Sequence, residues 1–351
     1  MALFILRRLG VMVLTALCMT LIVFALTNLP PNLEKLAKTQ AGTRITDDEV
    51  HSWLERNGYS APILRRYGEW LGVVPASVAT DAAGNVVGGR CLRGVRSTSI
   101  ERVPRYCGVL QGEWGYSTKF RVPVSDLVTE RLARTGVLMF WAFATMVPLA
   151  LIFGVLAGMR EGSVTDRTLS TISIASTSTP EYVSGVVFVV VFASSAVGLK
   201  WFTGSAKSAV NGITFENFTL PVATIALYGM GYIARMTRAS MAEVMTAQYI
   251  RTARLKGVKF RDIVLRHALR NALIAPFTIV MLQFPWLLTG VVIVEALFVY
   301  PGFGDALVQG AQNNDIDLLL AVSVVAVVVV LVTQLISDIG YALLNPRIRV
   351  S

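Results

Sequence analysis

Glu243-Val-Met-Thr-Ala-Gln-Tyr-Ile-Arg-Thr-Ala-Arg-Leu-Lys-Gly257-Val-Lys-Phe-Arg-Asp-Ile-Val-Leu-Arg-His267-Ala-Leu-Arg-Asn-Ala-Leu-Ile-Ala-Pro276 is a basic island between two long apolar runs. From Arg235 to Arg270 it sets nine Lys/Arg against Glu243 and Asp262, so its charge is far from balanced. Met241, Val244, Met245, Gln248, Thr252 and Leu255 recur at three- and four-residue spacing and predict one semi-apolar helix face. Gly257 then follows Lys256. A glycine able to turn left-handed, beside a cation at the negative helix end, predicts the stop. A second helical pattern runs from Phe260 to Ala272. Two short helices joined at a glycine predict a docking knob. A loop that only obeys the charge bias of membrane topology is the plainer reading of the same residues.

Composition sets the class. The chain is 54% hydrophobic and 15% charged, with mean hydropathy +0.59, which is too apolar for a soluble chain of 351 residues. The net charge of +10 sits beside apolar runs without interleaved aromatics, so topology explains it better than nucleic acid does.

Outward from the island, the chain divides into 1–29, 30–134 and 135–351, with a cytoplasmic loop at 235–271. Arg7 and Arg8 precede an apolar run from Leu9 to Leu29, about 30 Å long as a helix and so able to cross a bilayer. Asn28-Leu-Pro-Pro-Asn32 follows in place of a small-residue cleavage site, so the run reads as a retained first span. Residues 30–134 carry 15 Lys/Arg and 11 Asp/Glu, which excludes a span there and predicts an extracytoplasmic lobe. Thr46-Asp-Asp-Glu49 predicts a helix-opening capping box. Asp81–Asn85 and Gly88-Gly89 are turn signals. Cys91 and Cys107 are either a disulfide, if the lobe lies in an oxidising compartment, or two free thiols. The two histidines, His51 and His267, lie near no cysteine, which argues against a metal site.

Five further spans are expected: Gly136–Gly158, Leu169–Leu199, Thr219–Ile233, Ala272–Leu297 and Leu318–Tyr341. The short basic segments then all fall inside, the outer loops carry only Lys200 and Lys207, and both termini are cytoplasmic. The fold class is therefore an all-α integral membrane protein with six transmembrane helices. Pro276 and Pro285 interrupt the fifth span and free backbone groups that neighbouring helices or a water-filled cavity must satisfy. The Ser/Thr run from Ser170 to Thr179 either packs helices together or lines a polar path. Ser173, Thr177, Gln283 and Glu295 are the path candidates. Glu295 is equally open to a loop-capping or headgroup-level role at the outer end. Asp338 is expected to pair with a basic residue. No Gly-x-x-x-x-Gly-Lys-Ser/Thr loop or His-Glu-x-x-His is present, and no Ser/His pair is placed to act as nucleophile and base in the spans, so no catalytic residue is assigned.

Tyr249-Ile-Arg-Thr-Ala-Arg-Leu-Lys-Gly257 with His267–Pro276 resembles the cytoplasmic EAA-motif loop of binding-protein-dependent ABC importer permeases, and most closely the dipeptide/oligopeptide/nickel B-type family. Gly112-Glu-Trp-Gly-Tyr-Ser117, Pro180-Glu-Tyr-Val-Ser-Gly185, Leu220–Leu227, Val294–Gly304 and Asn345-Pro-Arg-Ile-Arg349 also resemble that family, over Met1–Leu29 and Gly112–Ser351. The resemblance implies a type I importer permease subunit in the bacterial inner membrane. It implies a coupling helix carrying Tyr249, Arg251, Thr252, Ala253, Arg254, Lys256 and Gly257. Its partners would be a second homologous permease, two ATPase subunits that hold ATP and Mg, an extracytoplasmic substrate-binding protein and the lipid bilayer. No cofactor would bind this chain. Di- or oligopeptides are the family default, and relatives carry nickel, glycosides or opine-like compounds. A membrane scaffold or receptor with a basic docking loop is the alternative from another class. Two departures stand out. Arg251 occupies a position where the wider superfamily has Glu. Leu29-Pro-Pro-Asn-Leu33 replaces a Pro-Gly-Asp-like turn. An extension at Gly72–Gly108 is expected either to dock the binding protein or to cover the outer mouth.

Overall fold

A computed structural model of the chain describes residues 2–42, 45–80, 86–89, 105–195 and 199–344. It is mainly helical, and its contacts divide it into two compact units. One holds Met1–Leu9, Ala133–Asp305 and Val329–Ser351; the other holds Gly10–Leu132 and Ala306–Val328. In order the helices are α1 (Ala2–Thr27), α2 (Pro30–Ala41), α3 (Asp47–Arg56), α4 (Ile63–Leu71), α5 (Val124–Gly158), α6 (Val164–Ser178), α7 (Glu181–Phe192) and α8 (Phe215–Thr246). They continue with α9 (Gln248–Leu255), α10 (Phe260–Asp262), α11 (Leu269–Ala272), α12 (Ile274–Leu297), α13 (Phe303–Gln312) and α14 (Ile316–Leu344). A two-stranded antiparallel sheet, β1 (Val78–Thr80) and β2 (Val86–Gly89), is the described β-structure.

Among the described residues, three helices are long and apolar enough to cross a membrane: Leu6–Thr27, Val124–Gly158 and Ile316–Gly340. The number is five if two bent pairs each count as one span. The expected third span is bent by 106° between α6 and α7. Pro180 causes the break: it forces Thr179 out of helical geometry, at φ −94° and ψ 122°, and opens α7 as its N-cap. The fifth is bent by 50° where α11 meets α12. The expected fourth span, within α8, does not reach the same apolarity. Helices pack around α8, and small residues replace greasy ones along it. A side-chain carbon at Gly231 would meet Ser173 O and Ser176 Oγ of α6. On α5, carbons at Gly154 and Gly158 would meet the α8 backbone oxygens of Ala234 and Arg238, each at 2.6 Å. This is close helix approach through small residues.

Prolines in α12 leave two carbonyls without their helical donor. Pro276 strips Ala272 O, and Ser240 Oγ of α8 donates to it at 2.8 Å. Pro285 strips Met281 O, and Ser337 Oγ of α14 donates to it at 2.7 Å. Neighbouring helices thus supply what the two prolines remove. Asp338, one residue on from Ser337, pairs with Arg8 at 3.1 Å.

In the second unit the expected capping box at Thr46 and Glu49 is formed. Pro30 and Pro31 open α2 rather than a loop, because proline suits the first helical turn. Phe24, Leu33, Leu36, Trp70, Ile316, Leu320 and Val324 form the core. Arg66 is buried there, over the Tyr59 ring at 5.1 Å and hydrogen-bonded to Asn28 Oδ1. Burial pulls its guanidinium below the ordinary value, against the opposing pull of Tyr59 and Glu69. The extension is pinched at its base: a side chain on Gly108 would overlap Gly72, whose carbonyl takes Gln111 Nε2 at 3.1 Å. Cys107 is disulfide-bonded, Cys18 is free and exposed, and Cys91 lies outside the described residues. The 112–117 motif docks on the start of α14. Ser117 Oγ donates to Asp315 at 2.6 Å, and Asp315 also accepts from Leu318 N. Residues 345–349 lie outside the described residues.

Candidate functional site

The basic island folds as a knob with its own core. Met241, Met245, Ile250, Ala253, Ile263, Val264, Ala268 and Ala272 are buried together, with Val155 of α5 and Met159 just beyond its end against them. The predicted apolar face is correct only as far as Met245. Ala247 is extended, at φ −64° and ψ 147°, and restarts the helix in a new phase. Ile250 and Ala253 of α9 therefore turn inward, while Gln248, Thr252 and Leu255 are exposed. Leu255 is 82% exposed, the opposite of the expected packing. The α9 stop is as the sequence indicates. Gly257 stands at φ +76°, Gly257 N reaches Arg254 O at 3.0 Å, and Val258 N reaches Ala253 O at 3.2 Å. That is a left-handed cap closed by the residue beyond it. The second helix runs from α10 to α11 through a π-helical stretch, Ile263–Ala268, which brings Ile263, Val264 and Ala268 to the core.

Two features hold the knob in place. Arg238 grips Asp166 with two hydrogen bonds of 2.8 Å and reaches Glu161 at 3.4 Å. Such a two-pronged contact fixes orientation as well as distance. Tyr249 OH accepts from Asn271 Nδ2 at 2.9 Å. Outward stand Tyr249, Arg251, Thr252, Arg254, Leu255, Lys256 and Gly257, joined by Lys259, Arg261 and Arg270. The assembly is a rigid apolar-tipped helix in a ring of cations. Of the seven residues expected on the coupling helix, Ala253 alone faces inward.

The path candidates are spread apart. Ser173 is buried at the α6–α8 contact and donates to Leu169 O at 2.8 Å. Thr177, one turn on, donates to Ser173 O and Ile174 O. Glu295 is fully buried and caps a turn. Its carboxylate accepts from Thr135 Oγ1, from Gly304 N at 2.7 Å and from Asp305 N at 3.0 Å. Thr135 Oγ1 in turn accepts from Phe303 N at 2.7 Å. Gln283 is buried in α12, and its Nε2 has no hydrogen-bond partner among the described residues.

Sequence reasoning passed over Glu181. It is the single charged residue between Leu169 and Leu199, and a lone carboxylate in an otherwise uncharged apolar stretch is itself a signal. Its carboxylate oxygens lie against Gly290 of α12: a side-chain carbon there would stand 3.1 and 3.2 Å from them. The Ser240 and Ser337 contacts gave no sequence signal, because their carbonyl partners are 32 and 56 residues away.

The family model for the binding-protein-dependent transport system inner membrane component matches residues 150–350. A probable peptide ABC transporter permease protein, y4tP, of Sinorhizobium fredii is 34% identical over 69% of this chain and 77% of its own length. The oligopeptide transport system permease protein AppB of Bacillus subtilis is also 34% identical, over 69% and 77%. The glutathione transport system permease protein GsiC of Escherichia coli K12 is 34% identical over 68% and 76%. Among solved structures, a chain of the MetNI methionine ABC transporter is similar at 20% identity and TM-score 0.46, over 62% of this chain and 94% of that chain.

Proposed function

The chain belongs to the family of binding-protein-dependent transport system inner membrane components, and on that premise we propose that it is a permease subunit of an ATP-driven importer of di- or oligopeptides. It sits in the bacterial inner membrane with the knob and both termini in the cytoplasm. A second permease completes the path, two ATPase subunits hold ATP and Mg, and an extracytoplasmic binding protein delivers the solute.

The observation that carries this reading is the exposed face of α9. Leu255 is 82% and Tyr249 43% exposed, on a helix whose other side is locked into a core. An apolar tip ringed by cations suits a cleft on an ATPase. Arg251, Thr252, Arg254 and Lys256 contact the cleft. Ala253 seats the helix, and Gly257 sets its end. The shared core ties α8 to α5 and the Arg238–Asp166 clamp ties α8 to α6, so ATPase closure moves them as one body, which is the displacement alternating access needs. Gln283 and Thr177 belong to the solute path.

The test is purification of the assembled complex from its native membrane, with ATPase assay of wild type and Gly257→Pro. Proline cannot adopt φ +76°, and it removes the Gly257 N–H that reaches Arg254 O. The expected result is co-purification of a second permease and ATPases, with solute-stimulated hydrolysis lost in the variant. Recovery of the chain without any ATPase supports the scaffold reading instead.

A further inference from the structure

Resting on the importer reading, we propose that Glu181, Trp286 and Gln283 form a recognition seam for the free amino end and first carbonyls of a peptide in transit. The seam lies between α7, α8 and α12. Gln283, Trp286 and Gly290 follow one another at three and four residues and so share one face of α12. That face meets Tyr228 and Gly229 of α8 and Glu181 of α7. Trp286 stacks on Tyr228, with ring centroids 4.7 Å apart and planes at 17°. Gln283 Nε2 stands 3.4 Å from where a side-chain carbon of Gly229 would be. Glu181 carboxylate oxygens lie against Gly290.

Each group has chemistry left over. Glu181 is half-buried and forms no ion pair among the described residues. Gln283 is 9% exposed, and its Nε2 is the one buried side-chain polar atom without a partner among the described residues. A donor left idle in a helical core needs an acceptor that arrives from outside. A carboxylate wants a cation. An electron-rich indole face suits an ammonium or a planar amide. The spacing agrees. From Gln283 to Gly290 the helix rises about 10 Å, close to the length of about three extended residues. A peptide with its ammonium at Glu181 would pass a backbone carbonyl near Gln283. This assigns the permease a share of the selectivity, for a free amino terminus rather than for side chains.

The experiment uses the complete importer in proteoliposomes, with radiolabelled tri-alanine and N-acetyl-tri-alanine as probes and uptake normalised to assembled complex. Wild type is expected to favour tri-alanine. Glu181→Gln should raise KM for tri-alanine about tenfold and leave N-acetyl-tri-alanine unchanged, erasing the preference. Glu181→Asp should keep it. Trp286→Leu leaves the carboxylate in place and should reduce the preference several-fold, which gives a second measurement if Glu181→Gln assembles poorly. Retention of the wild-type preference by Glu181→Gln, or by Trp286→Leu, overturns the seam. So does equal loss in Glu181→Gln and Glu181→Asp, which marks a packing role. If wild type carries neither probe, the peptide-importer reading fails first, and the seam falls with it.

Discussion

Two carboxylates, Glu295 within α12 and Glu181 of α7 against Gly290 of α12, have opposite fates. Glu295 is fully buried and meets three donors: Thr135 Oγ1, Gly304 N and Asp305 N. Its two oxygens are thereby engaged on the 303–305 turn and on α5. Glu181 is half-buried and pairs with no cation among the described residues, and one turn of α12 away from Gly290 lies Trp286, then Gln283 with its idle amide. Sequence position left Glu295 open between the solute path and a loop-capping role, of which the turn contacts match the second, and passed over Glu181. The difference between them teaches that burial is a poor guide to function, whereas unused hydrogen-bonding capacity is a good one. A saturated acid holds the fold together, and an unsaturated one is free to meet a ligand.

The contrast breaks most visibly on removing the charge. Glu295→Gln can keep an amide oxygen on the Gly304 and Asp305 N–H groups only by turning its NH2 toward Thr135 Oγ1, whose hydroxyl donates to the carboxylate in the wild type. It should cost about 2–4 kcal/mol, seen as a lower unfolding midpoint of the detergent-solubilised complex. Glu181→Gln should shift stability by less than about 0.5 kcal/mol. Equal losses in the two variants would abolish the distinction. A methyl group probes the same pair sterically. At Gly302 it would overlap the Glu295 carboxylate, whereas at Gly290 it would sit 3.1 Å from a Glu181 oxygen. Gly302→Ala is expected to cost about 2 kcal/mol and Gly290→Ala less than about 1 kcal/mol, in the same melting assay. Ser337→Ala leaves Met281 O without its donor and should cost about 1 kcal/mol; an unchanged midpoint would show that this carbonyl is otherwise satisfied. The smallest effect is a gain. Val299, at the end of α12, has φ +53° in a cap closed by Tyr300 N to Glu295 O at 2.9 Å. Val299→Gly relieves that strain and should raise stability by about 0.5–1 kcal/mol. A loss there would mean that the Val299 side chain makes contacts worth more than the strain.

Much of this was legible in the residues. The glycine after Lys256, the capping box at Thr46 and the three- and four-residue spacing through Met245 are local signals, and local hydrogen bonds realise them. The α9 face beyond Met245 was not legible. One extended residue, Ala247, resets the helical phase, and nothing in its side chain announces that geometry. The 106° bend at Pro180 follows from proline chemistry, but its size depends on what packs around it. The α8 span looked like its neighbours in sequence, yet it carries glycine and threonine because other helices press on it. Ser240 and Ser337 look like ordinary polar residues until the chain folds and sets them over proline-freed carbonyls.

Those two serines bear on motion. They tie α12 and the residues before it to two neighbouring helices. Ser337 reaches Met281 O only in one register of α14 against α12, and Ser240 reaches Ala272 O only in one register of α8. A shift of either helix by a single turn would strand a carbonyl at a cost of about 1–3 kcal/mol. That corresponds to roughly a five- to 150-fold bias between two arrangements. The prolines thus act as detents. They favour one register of α12 against α8 and α14 over the neighbouring ones.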